Sequence, residues 1–208
     1  MANLFIIAAP SGCGKTSLVK ALMERSKNLS VSVSYTTRKA RKGEVNGENY
    51  HFVSKATFVQ MITNNDFVEY AEVFGNMYGT ARSSINEKLN ANIDIILEID
   101  WQGARQVRKN MPDTVSIFIL PPSKDALLER LKNRGQDDDE IISKRMENAE
   151  REMSHYEEFD YIIINEQFDS ALIDLMNIID DFGNNIKNTE LLLENQLISH
   201  RYLFKELI

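Results

Sequence analysis

The sequence predicts an α/β fold of three layers, with helices on both sides of a central parallel sheet. Short apolar runs alternate with helical patterns along most of the chain, as is typical of parallel strands joined by crossover helices. A glycine-rich segment ending in Gly-Lys-Thr lies between the first apolar run and the first helical pattern. Two polar, charged segments, residues 34–80 and 124–150, interrupt the alternation, and we expect them to be lobes inserted into one core.

The first half of the chain begins with an unbroken apolar run at residues 4–7, which indicates a buried strand. Residues 29–34 alternate apolar and polar side chains, as a half-buried strand does. Ser54 is a candidate N-cap for the helical pattern that follows it. Together these patterns predict strands over 4–7, 29–34, 50–53 and 67–73, and helices over 17–23 and 55–64.

The second half returns to strand–helix alternation once Tyr78-Gly79-Thr80 has closed the first inserted segment. Apolar runs predict strands over 93–99, 115–120 and 161–164, and Pro121-Pro122 ends the second of them. Helical patterns cover 83–90, a stretch from residue 102, 124–133, a long charged stretch to about residue 156, and 170–182.

The expected division of the chain follows from these elements. A core of residues 1–33, 81–123 and 151–183 carries the lobes 34–80 and 124–150 and ends in a tail, 184–208. Apolar residues in the tail predict helix, which could pack on the core or form a homo-oligomer with a second copy.

The Gly-Lys-Thr segment predicts a P-loop NTPase fold that binds a nucleoside triphosphate, for which ATP is the expected ligand. Gly12 and Gly14 allow backbone conformations in which several N–H groups face one anion, and the following helix N-terminus adds partial positive charge. Lys15 can reach the β- and γ-phosphates, and the Thr16 hydroxyl is suited to ligate Mg²⁺. Ala9 stands where such loops usually begin with glycine. The predicted ATP-binding residues are Ser11, Gly12, Cys13, Gly14, Lys15, Thr16 and Ser17.

Composition restricts the classes of partner and compartment. The 208 residues carry a net charge of -7, which argues against a general nucleic-acid binder. Cys13 is the single cysteine, so no internal disulfide forms, as suits a reducing compartment. The first apolar run is far too short to span a bilayer and no signal-peptide pattern precedes it. We therefore expect a cytoplasmic protein that binds neither membrane nor nucleic acid.

The first inserted lobe contains a basic segment, residues 36–44, with four cations within five positions. Arg38 and Arg41 offer planar forks suited to bidentate phosphate binding, and Tyr50 and Tyr78 can donate hydroxyl hydrogen bonds. On its own, this segment is equally typical of a solvated basic loop. The functional alternative is that it binds the phosphate of a substrate that accepts the phosphoryl group.

An ordered series of motifs from about residue 3 to residue 182 resembles guanylate kinase, the bacterial type of the P-loop nucleoside-monophosphate kinases. In the first lobe and beside it the motifs are Ser34-Tyr35-Thr36-Thr37-Arg38, Arg41, Gly43-Glu44-Val45-Asn46-Gly47, Tyr50-His51-Phe52, Glu69, Gly75-Asn76 and Tyr78-Gly79-Thr80. Later in the chain they are Asp100-Trp101-Gln102-Gly103, Arg134-Gly135 and Arg145.

This resemblance implies a GMP site in the first lobe. Arg38, Arg41, Tyr50 and Tyr78 would clamp the GMP phosphate, and Glu69 would accept from guanine N1–H and the exocyclic amine. The remaining implied GMP residues are Ser34 and Thr80 near O6 and N7, Gly79, Glu98 and Asp100. Glu98 stands where the family often has aspartate. Asp100 is also the implied water-mediated Mg²⁺ residue, and a helix N-cap is a compatible second role for it.

The resemblance also implies the reaction, reversible Mg²⁺-dependent transfer of the ATP γ-phosphoryl group to GMP or dGMP. Lys15, Arg38, Arg134 and Arg145 would neutralise charge at the moving group, the last two from a lid over 124–150. Arg130, one helical turn before Arg134, is expected to make a surface ion pair. The acidic run 137–140 lacks the spacing of a metal cage and is expected to be a solvated lid tip.

Two other functions fit the same fold. Guanylate-kinase-like domains without activity bind peptides, but their phosphate loops are typically degraded, whereas this loop is intact. A small kinase for another monophosphate would share the loop, and Glu69 is the residue that argues against it.

Overall fold

The computed structural model describes residues 2–73, 75–133 and 139–184. Its strands are β1 Leu4–Ala8, β2 Leu29–Val31, β3 Tyr35–Thr36, β4 His51–Phe52, β5 Phe67–Val73, β6 Asn76–Ala81, β7 Asp94–Glu98, β8 Val115–Leu120 and β9 Tyr161–Ile164. Its helices are α1 Lys15–Arg25, α2 Lys55–Thr63, α3 Arg82–Asn90, α4 Trp101–Asn110, α5 Lys124–Asn133, α6 Asp139–Met153 and α7 Phe168–Asn184, with a 3₁₀ turn at Tyr156–Glu158.

The α/β fold with a central parallel sheet is confirmed. Five strands pair in the order β2-β7-β1-β8-β9, and the pairs β2–β7 and β8–β9 are parallel. Every residue of β1 and β8 is buried, which explains their apolar sequences, because strands covered on both faces have no polar side to present. The one polar residue, Ser116 of β8, donates its hydroxyl to Asp160 Oδ2 at 2.6 Å. Contacts divide the chain into two units. Unit 1 contains Asn28–Thr114 and the chain up to Ile6; unit 2 contains Ile7–Lys27 and the chain from Val115 onward.

Unit 1 contains a second sheet, in the order β4-β3-β6-β5. β5 and β6 are antiparallel, whereas β3 pairs with β4 in parallel. The predicted strand over 29–34 is wrong in its second half, because β2 ends at Val31 and the chain enters the second sheet at Tyr35. β6 was not predicted as a strand.

Two helices begin at the side-chain caps that the sequence indicated. The Ser54 side chain accepts a hydrogen bond from the Thr57 N–H, so the predicted cap of α2 is confirmed. Asp100 caps α4 by accepting from the Gly103 N–H at 2.8 Å. α1 begins at Lys15, two residues earlier than predicted, directly after Gly14 in a left-handed conformation. In the part of the chain that the structure describes, no helix is both long enough and apolar enough to cross a membrane.

Candidate active site

The phosphate-loop pattern forms the connection between β1 and α1 in unit 2. Gly12 and Gly14 have φ angles of 97° and 87°, a region that other L-residues rarely adopt. A Cβ on Gly12 would lie 2.8 Å from Leu127 Cδ1, and one on Gly14 would lie 2.6 Å from Asn165 Nδ2. Both positions therefore need glycine for conformation and for space.

The loop surrounds a cavity that suits an anion. Its volume is about 290 Å³, and no acidic side chain lies in the first turn of α1. Gly14 makes no side-chain cap, and a helix N-terminus of this kind favours an anion through its N–H groups. The cavity brings together the predicted ATP residues Ser11, Gly12, Gly14, Lys15, Thr16 and Ser17 with Ala9, Pro10 and Glu152, whereas the loop residue Cys13 is fully buried and does not line it.

Two residues outside the motif hold the loop in place. Asn165, 5% exposed, donates from Nδ2 to the Cys13 carbonyl at 2.8 Å. Arg130 donates from Nη2 to the Asn165 carbonyl at 2.7 Å, so the expected surface ion pair of Arg130 is wrong. Sequence reasoning missed Asn165, although a polar residue directly after the buried β9 is a usual signal for the ligand edge of a parallel sheet.

In unit 1, Arg38 lies in a polar and aromatic cluster. Its Nη2 and Nη1 atoms donate to Glu44 Oε1 and Oε2 at 2.8 and 3.0 Å, a bidentate ion pair. The Arg38 Cζ atom lies 5.3 Å from the centroid of the Tyr50 ring, and the Tyr50 and Tyr78 centroids are 6.0 Å apart. The structure thus brings three of the four predicted phosphate-clamp residues together, while the exposed Arg41 joins them by donating its backbone N–H to Glu44.

At neutral pH the ion pair in this cluster is fully charged. The hydrogen bonds from Arg38 and then from the Arg41 backbone lower the pKa of Glu44 to about 2. The same pair raises the pKa of Arg38 above its usual range, so the guanidinium is always charged. Burial raises the pKa of the Tyr50 hydroxyl, which therefore keeps its proton at neutral pH. At neutral pH the cluster therefore contains a fixed cation, the Glu44 carboxylate that is paired with it, and a hydroxyl donor.

Glu69 is a buried carboxylate on β5. It is 5% exposed, and its Oε1 accepts from the hydroxyl of the fully buried Thr80 at 2.6 Å. A register irregularity between Phe67 and Glu69 places Glu69 opposite Thr80, and such bulges commonly redirect side chains beside ligand sites. Glu69 is therefore not a solvent-exposed carboxylate on the outer face of a strand.

The environment of Glu69 raises its pKa to about 7. Burial is the largest cause, the Thr80 hydroxyl acts in the opposite direction, and the charge of Asp100 adds to the increase. A buried carboxylate with one oxygen engaged by Thr80 has accepting capacity left, which makes it able to read a pair of N–H donors.

The remaining predicted residues lie at strand ends and in the second sheet. Ser34 precedes β3, Gly79 lies in β6, and the partly exposed Glu98 and Asp100 stand at the carboxyl end of β7. Arg145 lies in α6 of unit 2, whereas Arg134 lies outside the described residues. Within residues 2–73, 75–133 and 139–184, no three His, Cys, Asp or Glu residues are grouped as a metal cage would require.

Known proteins match this chain over most of its length. The family model described as guanylate kinase matches residues 1–182. A guanylate kinase of Pseudomonas fluorescens is 61% identical over 176 residues, covering 85% of this chain and 85% of the relative. One of Pseudomonas syringae pv. tomato is 53% identical over 214 residues, covering 99% and 97%. The crystal structure of guanylate kinase from Anaplasma phagocytophilum matches with a TM-score of 0.69 and 36% identity, covering 86% of this chain and 85% of that one.

Proposed function

The chain belongs to the guanylate kinase family, and from this membership we propose that its two units bind the two substrates of one phosphoryl transfer. The resemblance predicted from the sequence is thereby confirmed. The chain is a nucleoside-monophosphate kinase, a transferase that phosphorylates GMP with ATP to give GDP and ADP. The assignment of roles to residues is our proposal.

The observation that carries the base assignment is the buried carboxylate of Glu69. We assign it to guanine N1–H and the exocyclic amine, a donor pair that adenine does not present. Its oxygen bonded by Thr80 is fixed at 2.6 Å, so the carboxylate is preorganised before the base arrives. A base lacking the donor pair would leave the carboxylate unmatched, at about 1–3 kcal/mol for each unsatisfied group. Ser34, Gly79, Thr80, Glu98 and Asp100 would complete the base and ribose side.

We assign the two substrate phosphates to two groups of residues, one in each unit. The loop cavity of unit 2, with Lys15 and the N-terminus of α1, would hold the β- and γ-phosphates of ATP. The cluster of Arg38, Tyr50 and Tyr78, with Arg41, would hold the GMP phosphate. Glu44 already occupies the Arg38 fork in both of its donor directions, so the GMP phosphate would share or displace that pair.

The chain needs no general base for this reaction, because the attacking oxygen belongs to an already anionic GMP phosphate. That oxygen bonds to the γ-phosphorus while the bond to the β–γ bridging oxygen breaks, which leaves ADP and GDP. Lys15 and Arg38 neutralise charge on the donor and acceptor phosphates, and Arg134 and Arg145 would add positive charge from the second lobe.

The residues of the loop fit a divalent metal that accompanies ATP. Thr16, the second residue of α1, carries a hydroxyl at the cavity wall, the ligand type that phosphate loops offer to Mg²⁺. Asp100 would contribute through water. When bound, Mg²⁺ would draw negative charge from the β- and γ-phosphate oxygens. The intact loop disfavours the peptide-binding alternative, and Glu69 disfavours a kinase for another monophosphate.

Several finer points extend the proposal. We expect dGMP to serve as acceptor alongside GMP, and we place the protein in the cytoplasm, where both nucleotides and a reducing environment are available. Neither nucleic acid nor membrane is an expected partner. A homo-oligomer formed through the tail stays a prediction.

Two substitutions separate the two substrate sites. We expect Glu69→Ala to raise the KM for GMP at least about tenfold with little change in the KM for ATP, because only the base contact is lost. Lys15→Ala should abolish transfer and spare the affinity for GMP, measured by equilibrium titration. Equal losses toward both nucleotides in Glu69→Ala, or retained turnover in Lys15→Ala, would contradict the assignments.

A further inference from the structure

Helix α4 borders the free edge of β5, the last strand of the second sheet. Three α4 residues spaced i, i+3 and i+7, and thus on one helix face, contact three consecutive residues of β5. Gly103 faces Glu69, Gln106 binds Tyr70, and Asn110 binds Val68.

The two chain neighbours of Glu69 are held by side-chain amides of this helix. Gln106 Oε1 accepts from the Tyr70 N–H at 3.1 Å, and its Nε2 donates to the Tyr70 carbonyl at 2.9 Å. Asn110 Nδ2 donates to the Val68 carbonyl at 2.7 Å. The two amides therefore occupy edge groups that a further strand would otherwise pair, and they fix the strand on both sides of Glu69.

The carboxylate of Glu69 itself fits against a missing side chain. A Cβ on Gly103 would lie 3.1 Å from Glu69 Oε2 and 3.3 Å from Ile99 Cβ. Because Thr80 fixes the other carboxylate oxygen at 2.6 Å, Glu69 has little freedom to move away from an added methyl group. Asp100, which caps the same helix, fixes the Gly103 N–H at 2.8 Å.

We propose that this face of α4, Gly103, Gln106 and Asn110, positions Glu69 for discrimination among purine bases. The inference rests on the proposed function, in which Glu69 reads the guanine edge. The side-chain amides of Gln106 and Asn110 fix the position of β5 against the helix, and Gly103 leaves the space in which the Glu69 carboxylate lies. These are positioning residues, since they act on the base through Glu69.

The test uses the ratio of kcat/KM for GMP to kcat/KM for inosine monophosphate, whose base keeps N1–H but lacks the exocyclic amine. Gln106→Met keeps the length and helix propensity of the side chain while removing both hydrogen bonds. We expect it to lower the ratio about fivefold, and Gly103→Ala about tenfold or more, with the KM for ATP unchanged in both. Gln60→Met, at an exposed position of α2, is the matched control and should leave the ratio unchanged.

Glu69→Ala separates the inference from the function on which it rests. If Glu69→Ala lowers the ratio while Gln106→Met and Gly103→Ala keep it at the wild-type value, the role of α4 is overturned and that of Glu69 stands. If Glu69→Ala keeps the ratio, the guanine assignment fails, and the inference fails with it. A merely structural role would change thermal stability or kcat for both nucleotides equally, so Gln106→Met decides the question even if Gly103→Ala does not fold.

Discussion

Relative to the wild type, the ligand-free Glu69→Gln variant should gain stability as pH rises, although the substitution removes the residue proposed to read the base. The pKa of Glu69 is raised from 4.5 to about 7, chiefly by burial. Between these two values the folded state binds more protons than the unfolded state, so stability is fully present below pH 4.5 and is lost as pH rises through 7. Glutamine does not titrate, and the variant escapes this loss.

The size of the effect follows from the two pKa values. The interval from 4.5 to about 7, at about 1.4 kcal/mol for each pH unit, corresponds to about 3 kcal/mol of stability. The exposure of 5% leaves little solvent screening to reduce it. Since the sequence pI is 5.1, measurements are best made above pH 6, where about 1 kcal/mol of the change falls between pH 6 and pH 8.

The assay is urea unfolding of both proteins at pH 6, 7 and 8 without nucleotide. Glutamine keeps the acceptor for Thr80 but buries an amide next to Gly103, a penalty that is the same at every pH. The informative quantity is therefore the change with pH in the difference between the two free energies of unfolding. If the free energies of unfolding of the two proteins changed in parallel with pH, the reasoning would be refuted, because the pKa of Glu69 would then not be raised in the folded state.

Two further predictions concern Thr80 and Asn165. Thr80→Val removes the hydroxyl whose hydrogen bond lowers the pKa of Glu69. The KM for GMP, measured against pH, should therefore change with a midpoint above the wild-type value of about 7, and an unchanged midpoint would contradict this. Asn165→Ala leaves the Cys13 carbonyl without its 2.8 Å donor, and the KM for ATP should rise about tenfold while that for GMP stays constant; steady-state kinetics with each substrate varied would show a loss toward GMP if the residue acted otherwise.

The parts of the fold that could be predicted are those determined by residues close together in the sequence. Ser54 marks the start of α2 because a capping hydroxyl acts within one turn of its helix. The phosphate loop was predictable because its glycines answer a conformational need of the loop itself, visible as φ angles of 97° and 87°. Apolar runs such as Val115–Leu120 identified the strands buried on both faces.

Sequence reasoning missed what depends on distant partners. The alternating pattern at 29–34 indicates a strand but not the sheet in which it pairs, so the change from β2 to β3 was invisible. β6 contains Asn76 and Gly79, which have low strand propensity, and it is a strand because it pairs with β5. Asn165 and Gln106 act on residues far away in sequence; the position of Asn165 directly after β9 indicates the ligand edge of the sheet, but neither residue's partner can be read from local spacing.

The central claim is that this chain phosphorylates GMP and selects it through Glu69. The most direct test is ADP release in a coupled assay with ATP and Mg²⁺, comparing GMP with AMP, CMP and UMP for the wild type and for Glu69→Ala. We predict strong activity with GMP alone for the wild type, and for Glu69→Ala a loss of that preference with the KM for ATP retained. Wild-type activity with another monophosphate, or an unchanged preference for GMP in Glu69→Ala, would contradict the account.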